Sequence, residues 1–385
     1  MTGKINNPRA EIDAIDAELL RLLNRRAEIA LEVGALKTRQ DASLCDSERE
    51  REVLTRLSRQ STGPLDAQGV THIFQRIIDE CLHMQQRAYS VPPQESTDAD
   101  RESALLADAR VAFQGDPGAF SEEAAIELLG AGCVPVQRPT FEELFSAIDS
   151  GKSDYILAPL ENSLMGSVHR CYDLLLESSL SIVAEIIWPI SHLLIGCRGS
   201  SLETIRTVES HPVALAQCEK FFVTHADLKQ IASDDTAASV RRVVESGDLS
   251  RAAIAGKRAA DLYGGYILQE RLEDHSENYT RFALLARNPD MSAHGRKISL
   301  VVRLAHRPGA LHYALRPFVR RGVDLLKIES RPIKGRPWEY NFYLDLQAPP
   351  TESDLSGALD EIRERAEEVR YLGRYSSVDF SRAQR

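Results

Sequence analysis

Residues 277–288 read ENYTRFALLARN, so Asn278, Tyr279, Thr280 and Arg281 open an apolar run. Tyr and Thr suit the edge of a strand. The same side chains also suit an active site at a strand mouth, where hydroxyl and amide groups could meet a polar substrate. A second set ends the stretch SDYILAPLEN, where Glu161 and Asn162 precede Ser163. Glu161 can be read equally as an acid or, with Asn162, as a loop organiser. A third set lies in a helical region. Arg26 and Lys37 are 11 residues apart, which is three turns plus about 20°, so they point the same way. Asp46 and Glu50 are i,i+4 with Arg49 between them, and Cys81 and Gln85 are i,i+4 further on. Arg, Lys, Gln and carboxylates in one bundle suit a small polyanion carrying hydroxyl groups. Spacing alone favours solvated faces laced with ion pairs, as in DSEREREV. Ser121 in GDPGAFSEEA, His211 in ESHPVALAQC and Thr236 in DDTAASV mark helix starts. Such N-termini can bind carboxylates, although each taken singly is explained by ordinary capping.

These residues need three kinds of scaffold. Apolar residues recur at Ile12, Ile15, Leu19, Leu22, Leu23, Ile29, Val33 and Leu36, which predicts a helix from Asn7-Pro8 to about residue 39. Further helices are expected from near Asp46 to before STGP, and from Ala67 to Arg87. Three helices this long cannot enclose a core alone and should pair with a second copy. Residues 89–108 are rich in Pro, Ser and Asp and read as a linker. From residue 109 strand and helix signals alternate, as expected of parallel sheets covered on both faces. From residue 296 the order becomes β-α-β-β-α-β, a ferredoxin-like unit.

The bulk composition narrows the function classes. A chain of 385 residues suggests two or three domains. A net charge of −10 argues against nucleic acid as a partner. No secretory signal or membrane-spanning run is visible. Six scattered cysteines without a C-x-x-C pair argue against zinc and against a disulfide framework. The expectation is a reduced, cytoplasmic protein with no metal, and no nucleotide or phosphate fingerprint implies a cofactor.

Residues 5–87 resemble the all-helical chorismate mutase domain. The matching positions are Arg9 in NPRAEIDAID, Arg26 in NRRAEIA, Lys37 in VGALK, Asp46, Arg49 and Glu50 in CDSERE, and Gln85 in HMQQ. The resemblance implies a domain-swapped dimer in which Arg9 crosses into the partner's site. Arg9 and Arg26 would clamp two carboxylates. Lys37 and Gln85 would donate to the ether oxygen, and Asp46 and Glu50 would fix the ring hydroxyl. Arg49 and Cys81 complete the substrate contacts. The family usually has Ser at Cys81, and a thiol is the weaker donor.

Residues 109–287 resemble prephenate dehydratase through GDPGAFSE, PLENSLMGSV, SHPVALAQC, DTAASV and NYTRF. The implied fold has two α/β lobes, like periplasmic binding proteins. Thr280 would be catalytic, with Glu161 and Asn162 as further candidates. Ser121, Ser163, His211, Thr236, Arg281 and Phe282 would shape the substrate pocket. Residues 297–375 resemble an ACT domain. Gly309, Ala310 and Leu311 in RPGALHYAL, and Glu329, Ser330, Arg331 and Pro332 in IESRP, would bind phenylalanine as effector. The family often has a small aliphatic residue at His312.

The whole chain thus resembles the bifunctional chorismate mutase/prephenate dehydratase family. Its domains are expected at 1–88, 109–288 and 297–375, with chorismate and prephenate as substrates and a homodimer or larger homo-oligomer as the assembly. Two rivals stand beside this reading. One is a non-enzymatic sensor. The other is a dehydratase whose helical segment serves only as a dimerisation arm, which Cys81 favours.

Overall fold

A computed structural model describes residues 3–40, 44–89, 108–287, 295–349 and 351–381. The expected linker at 89–108 lies almost wholly outside the described residues. The chain forms two compact units. One joins residues 1–95 with 300–370, and the other joins 96–299 with 371–385. The helical and C-terminal segments, expected as separate domains, therefore share a unit.

Three helices begin the chain: α1 (Gly3–Arg39), α2 (Ser47–Gln60) and α3 (Ala67–Tyr89). The first starts before the Asn7-Pro8 signal, so Pro8 lies inside it. Asp46 caps α2 by accepting the Arg49 N–H at 3.0 Å, which satisfies one of the four orphan donors of a helix start. Val70, Ile78, Cys81 and Leu82 form the buried side of α3. The α1 stripe is different. Ile12, Ile15, Leu19, Leu22, Leu23, Ile29, Val33 and Leu36 are all exposed, so within one chain the stripe has no cover.

The second unit follows. Its elements are β1 (Arg110–Gln114), α4 (Phe120–Leu129), β2 (Val134–Arg138), α5 (Phe141–Phe145), β3 (Tyr155–Asn162), β4 (Gly166–Ser167), α6 (His169–Glu177) and β5 (Ser181–Pro189). Then come β6 (Leu193–Gly196), β7 (Thr207–Ser210), α7 (Pro212–Ala216), α8 (Glu219–Thr224), β8 (Lys229–Ala232), α9 (Thr236–Ser246), β9 (Arg251–Ala255), α10 (Lys257–Tyr263), β10 (Tyr266–Gln269) and β11 (Tyr279–Ala286). The C-terminal elements are β12 (Lys297–Arg303), α11 (Ala310–Val319), β13 (Leu325–Pro332), β14 (Tyr340–Gln347), α12 (Glu352–Arg363) and β15 (Glu368–Asp379). They have the expected β-α-β-β-α-β order, with β14 between β13 and β12.

Within the second unit one sheet runs β5-β11-β3-β1-β2, with Ser376–Asp379 of β15 alongside β5. The other runs β10-β6-β9-β7-β8. Neither is wholly parallel. β11 runs antiparallel to both β3 and β5, and β6 runs antiparallel to β9. The reason lies in the chain path. It leaves the first sheet after β5, builds the second, and returns with β11 from the opposite end. The sheets approach closely at Gly118, which has φ +92°, and a Cβ there would lie 2.9 Å from the Ala259 Cα. Only glycine fits that conformation and that gap.

β11 is buried along its whole length. Phe282 and Leu284 pack with Val111, Leu157 and Ile186 against Ala124, Ala125 and Leu129 of α4. Arg281 faces the other way. Its Nε donates to Glu185 at 2.5 Å and its Nη2 to the Tyr375 hydroxyl at 2.9 Å. Lys297 reaches the same carboxylate at 2.8 Å. Burial pushes the Glu185 carboxyl up, but Arg281 and Lys297 outweigh burial and hold it below its ordinary range. No helix among the described residues is long and apolar enough to cross a membrane.

Replacing Arg281 by Met leaves a buried carboxylate with one cation lost, and should cost about 3–5 kcal/mol of stability in denaturant unfolding. A depressed carboxyl stabilises the fold above its unfolded value of about 4.3, and that stability is lost as pH falls through its folded value. The Arg281→Met protein should therefore show the weaker acid dependence. Equal dependence in both proteins would remove Glu185 from the balance.

Candidate active sites

At the mouth of β11 one amide fixes the polarity of its surroundings. Asn162 Oδ1 accepts the backbone N–H groups of Leu164 and Met165 at 3.0 and 2.9 Å. Its Nδ2 must therefore face the other way. Its two protons are shared among Asn278 Oδ1 at 2.8 Å, the Tyr279 carbonyl at 3.1 Å and Thr280 Oγ1 at 3.1 Å, one of them bifurcated. Thr280 thus accepts, and its own O–H proton is left for something else. Asn278 carries the pattern on, donating from Nδ2 to Gln217 Oε1 at 3.1 Å. That oxygen also meets His192 Nε2 at 2.8 Å. A carbonyl oxygen only accepts, so His192 is the Nε2–H tautomer with a bare, buried Nδ1. Burial pushes the imidazole below its ordinary pKa. Gln217, Asn278 and His192 are all buried, and they link the second sheet's elements to β3 and β11.

The other expected residues are distributed around this chain. Ser163 donates to the Glu277 carbonyl at 2.7 Å and accepts from the Tyr279 N–H at 2.9 Å, pinning the strand mouth. Glu161 lies opposite Arg281 in register, whereas Asn162 lies opposite Thr280. Successive strand residues alternate faces, so Glu161 shares the Arg281 face and not the Thr280 face. Phe282 sits in the core on the Thr280 side. His211 caps α7, its Nδ1 accepting the Val213 N–H at 3.3 Å. Two caps differ from expectation. Ala119 precedes α4, and Ser121, inside the helix, donates to the Gln114 carbonyl at 2.7 Å. Asp235, not Thr236, caps α9 by accepting the Ala238 N–H at 2.9 Å, because the preceding carboxylate takes the donors first.

In the helical segment Arg26 Nη1 donates to Cys81 Sγ at 2.9 Å. Lys37 donates to the Leu44 carbonyl at 3.1 Å and lies 4.0 Å from Asp46. Gln85 is buried and donates to the Ala30 carbonyl. These contacts bring Arg26, Lys37, Asp46, Cys81 and Gln85 onto the facing sides of α1, α3 and the α2 cap. Arg49 instead faces solvent and pairs with Glu52 at 2.9 Å. Glu50 is half-buried and pairs with Arg320 of the C-terminal segment. Arg9 is exposed near the far end of α1. Seventeen residues separate it from Arg26, which is about 26 Å along a helix.

In the C-terminal segment Gly309 caps α11 at φ +79°, where a Cβ would meet the Tyr313 ring at 2.9 Å. Ala310 and Leu311 follow it, half-buried. On β13 Ser330 and Pro332 lie on the exposed face with Leu326 and Ile328, while Glu329 and Arg331 lie on the half-buried face.

Comparison with known proteins matches residues 111–290 to the prephenate dehydratase family and residues 8–86 to chorismate mutase type II. The chain is 34% identical over 371 residues to the bifunctional chorismate mutase/prephenate dehydratase of Neisseria gonorrhoeae, covering 96% of each chain. Among solved structures, the prephenate dehydratase of Arthrobacter aurescens in complex with L-Phe is 29% identical with a TM-score of 0.64, covering 69% of this chain and 90% of that one. GqqA, described as a novel type of quorum quenching acylase, is 33% identical with a TM-score of 0.64, covering 70% of this chain and 98% of that one.

The polarity of the hydrogen-bond chain can be tested directly. Long-range proton–nitrogen NMR spectra should show His192 neutral, protonated on Nε2, below the ordinary histidine pKa of about 6.5. A proton on Nδ1 would reverse the chain and remove its link to Gln217.

Proposed function

We propose how the chemistry is divided along a chain that belongs to the bifunctional chorismate mutase/prephenate dehydratase family. It converts chorismate to prephenate and prephenate to phenylpyruvate, in phenylalanine biosynthesis. The observation that carries the assignment of the second step is the orientation of Thr280. Asn162 donates to its oxygen, so the O–H is free to donate to the departing ring hydroxyl. As the ring carboxylate leaves as carbon dioxide, its bonding electrons enter the ring and the hydroxyl departs with the C–O pair. Aromatisation drives both cleavages. Thr280 is a poor acid at its ordinary pKa, so it assists by a hydrogen bond that strengthens as charge grows on oxygen. Asn162, Asn278 and Gln217 hold it in that polarity, and His192 positions Gln217. Two crossings between the sheets support a two-lobed domain of the periplasmic-binding-protein kind, with prephenate in the cleft.

The first step needs no covalent help. The ether C–O bond breaks as a C–C bond forms within one molecule, so the site must hold the compact conformer and stabilise the ether oxygen. Lys37 keeps two N–H donors beyond its bond to Leu44, and Gln85 keeps one beyond Ala30. These are the donors for the ether oxygen. Arg26 clamps a carboxylate, with Cys81 at its back. The second clamp is the partner subunit's Arg9, because about 26 Å of helix separates Arg9 from Arg26 in one chain. The uncovered α1 stripe supports the same dimer. Asp46 and Glu50 receive the ring hydroxyl.

The β-α-β-β-α-β segment is read as an ACT domain that binds phenylalanine at Gly309–Leu311 and Glu329–Pro332, between two chains. The exposed outer face of β13 supports an intersubunit location. The L-Phe complex of the Arthrobacter aurescens dehydratase supports the effector's identity. Inhibition follows if phenylalanine binds the less active state more tightly.

Two exchanges separate the activities. Thr280→Ala should lower prephenate turnover by about 10²-fold or more while chorismate loss continues. Lys37→Ala should do the reverse. Loss of both activities in either variant would refute the division. If the wild type converts prephenate and leaves chorismate untouched, the helices are only a dimerisation arm. Ser330→Ala should raise the phenylalanine concentration for half inhibition, and an unchanged value would refute the β13 site.

A further inference from the structure

One guanidinium joins the C-terminal segment to the helical one. Arg320, the C-cap of α11, is 5% exposed. Its Nη2 contacts Glu50 Oε2 on α2, its Nε lies 3.2 Å from Asp79 Oδ1 on α3, and its Nη1 lies 3.4 Å from Glu361 on α12. Cys45 Sγ is 3.7 Å away. Arg316 holds the other Asp79 oxygen at 2.6 Å, and Arg321 holds Glu361 at 2.7 Å. Three carboxylates therefore converge on Arg320, while Asp79 and Glu361 each have a second cation. Among the described residues Glu50 pairs with Arg320 alone, and only through Oε2. Its Oε1 is left to accept a hydrogen bond.

We propose that Arg320 is a positioning residue for the mutase reaction, holding Glu50 charged and in one rotamer so that its second oxygen receives the ring hydroxyl of chorismate. This rests on the reading of Glu50 as a substrate contact. In this chain the setting of Glu50 then depends on a residue of the C-terminal segment. The surroundings of Glu50 explain why a cation is needed there. Burial pushes its carboxyl up, Arg320 opposes this, and Asp79 and Glu361 add to the rise. Without Arg320 the nearest groups are two carboxylates and a thiol, and nothing would oppose the upward push on the Glu50 carboxyl. A protonated Glu50 loses the strong charge-assisted acceptor that a hydroxyl seeks.

The test is the pH profile of mutase kcat/KM, followed as chorismate loss on the full-length protein. Arg320→Gln should move the acid limb up by about one pH unit or more, so that activity is lost about tenfold on the acid limb and returns as the pH rises. Arg320→Lys should keep most of the limb, since it restores the charge. Turnover of added prephenate should stay within about twofold in both, which a folding defect of the whole chain would not allow. A uniform loss at every pH, or a Lys variant shifted as far as the Gln variant, would overturn the proposal. Should Arg320→Gln not fold, the Lys variant decides: a limb at the wild-type pH supports the role, and a shifted limb refutes it. Glu50→Gln tests the underlying reading separately. Retained chorismate turnover there would remove Glu50 from the site, whatever the Arg320 variants do.

Discussion

Two backbone N–H groups, those of Leu164 and Met165, leave the Asn162 amide no choice of direction. The chain of side-chain amides that runs from the β11 mouth to His192 takes its sign from that constraint. Asn162 donates, so Thr280 and Asn278 accept. Asn278 therefore turns its own donor to Gln217, and His192 must meet Gln217 with a proton. Buried polar networks are costly when half satisfied, and this one ends at the Thr280 hydroxyl, proposed above to meet the substrate. A hydroxyl is a modest acid anywhere, but here its proton has no competing acceptor among the described residues. The same strand makes the arrangement stiff. On its opposite face Arg281 is locked to Glu185 and Tyr375, so the backbone that presents Thr280 is anchored from behind.

The helical segment follows a different principle. The reaction proposed for its polar groups is a rearrangement within one molecule, where shape and charge suffice. It also lacks what a single copy would need for burial, since the α1 stripe is bare. Arg26, Lys37 and Gln85 already bond to the protein's own atoms, with donors to spare. That is a preorganised surface, which loses little on binding.

Local rules made much of this readable. Helical periodicity found α1 to α3, Asp46 marked the start of α2, and the NYTRF and PLEN stretches pointed to the two strand ends that meet. The C-terminal order of elements was equally legible. What escaped was decided by distance along the chain. Gln217 stood inside a quoted motif, yet nothing local says that its oxygen serves Asn278, 61 residues away. His192 sits in an apolar stretch and carries no motif at all. Arg320 reaches Glu50 across 270 residues, and a lone pair of arginines after an apolar run reads as a solvated helix end. Strand alternation could have separated Glu161 from Thr280, but only once the register was known. The cap expected at Thr236 slipped by one residue because Asp235 took the same donors, whereas the N-cap of α4 lies two residues before Ser121, at Ala119, with no side-chain cap.

The length of α1 has a consequence in genetic terms. If Arg9 and Arg26 serve one site only when they come from two copies, a chain lacking Arg9 and a chain lacking Arg26 are each inactive as mutases when alone. Mixed together, they form one site with both arginines and one with neither. Two defective alleles would then complement each other in trans, while the same two changes on one chain could not.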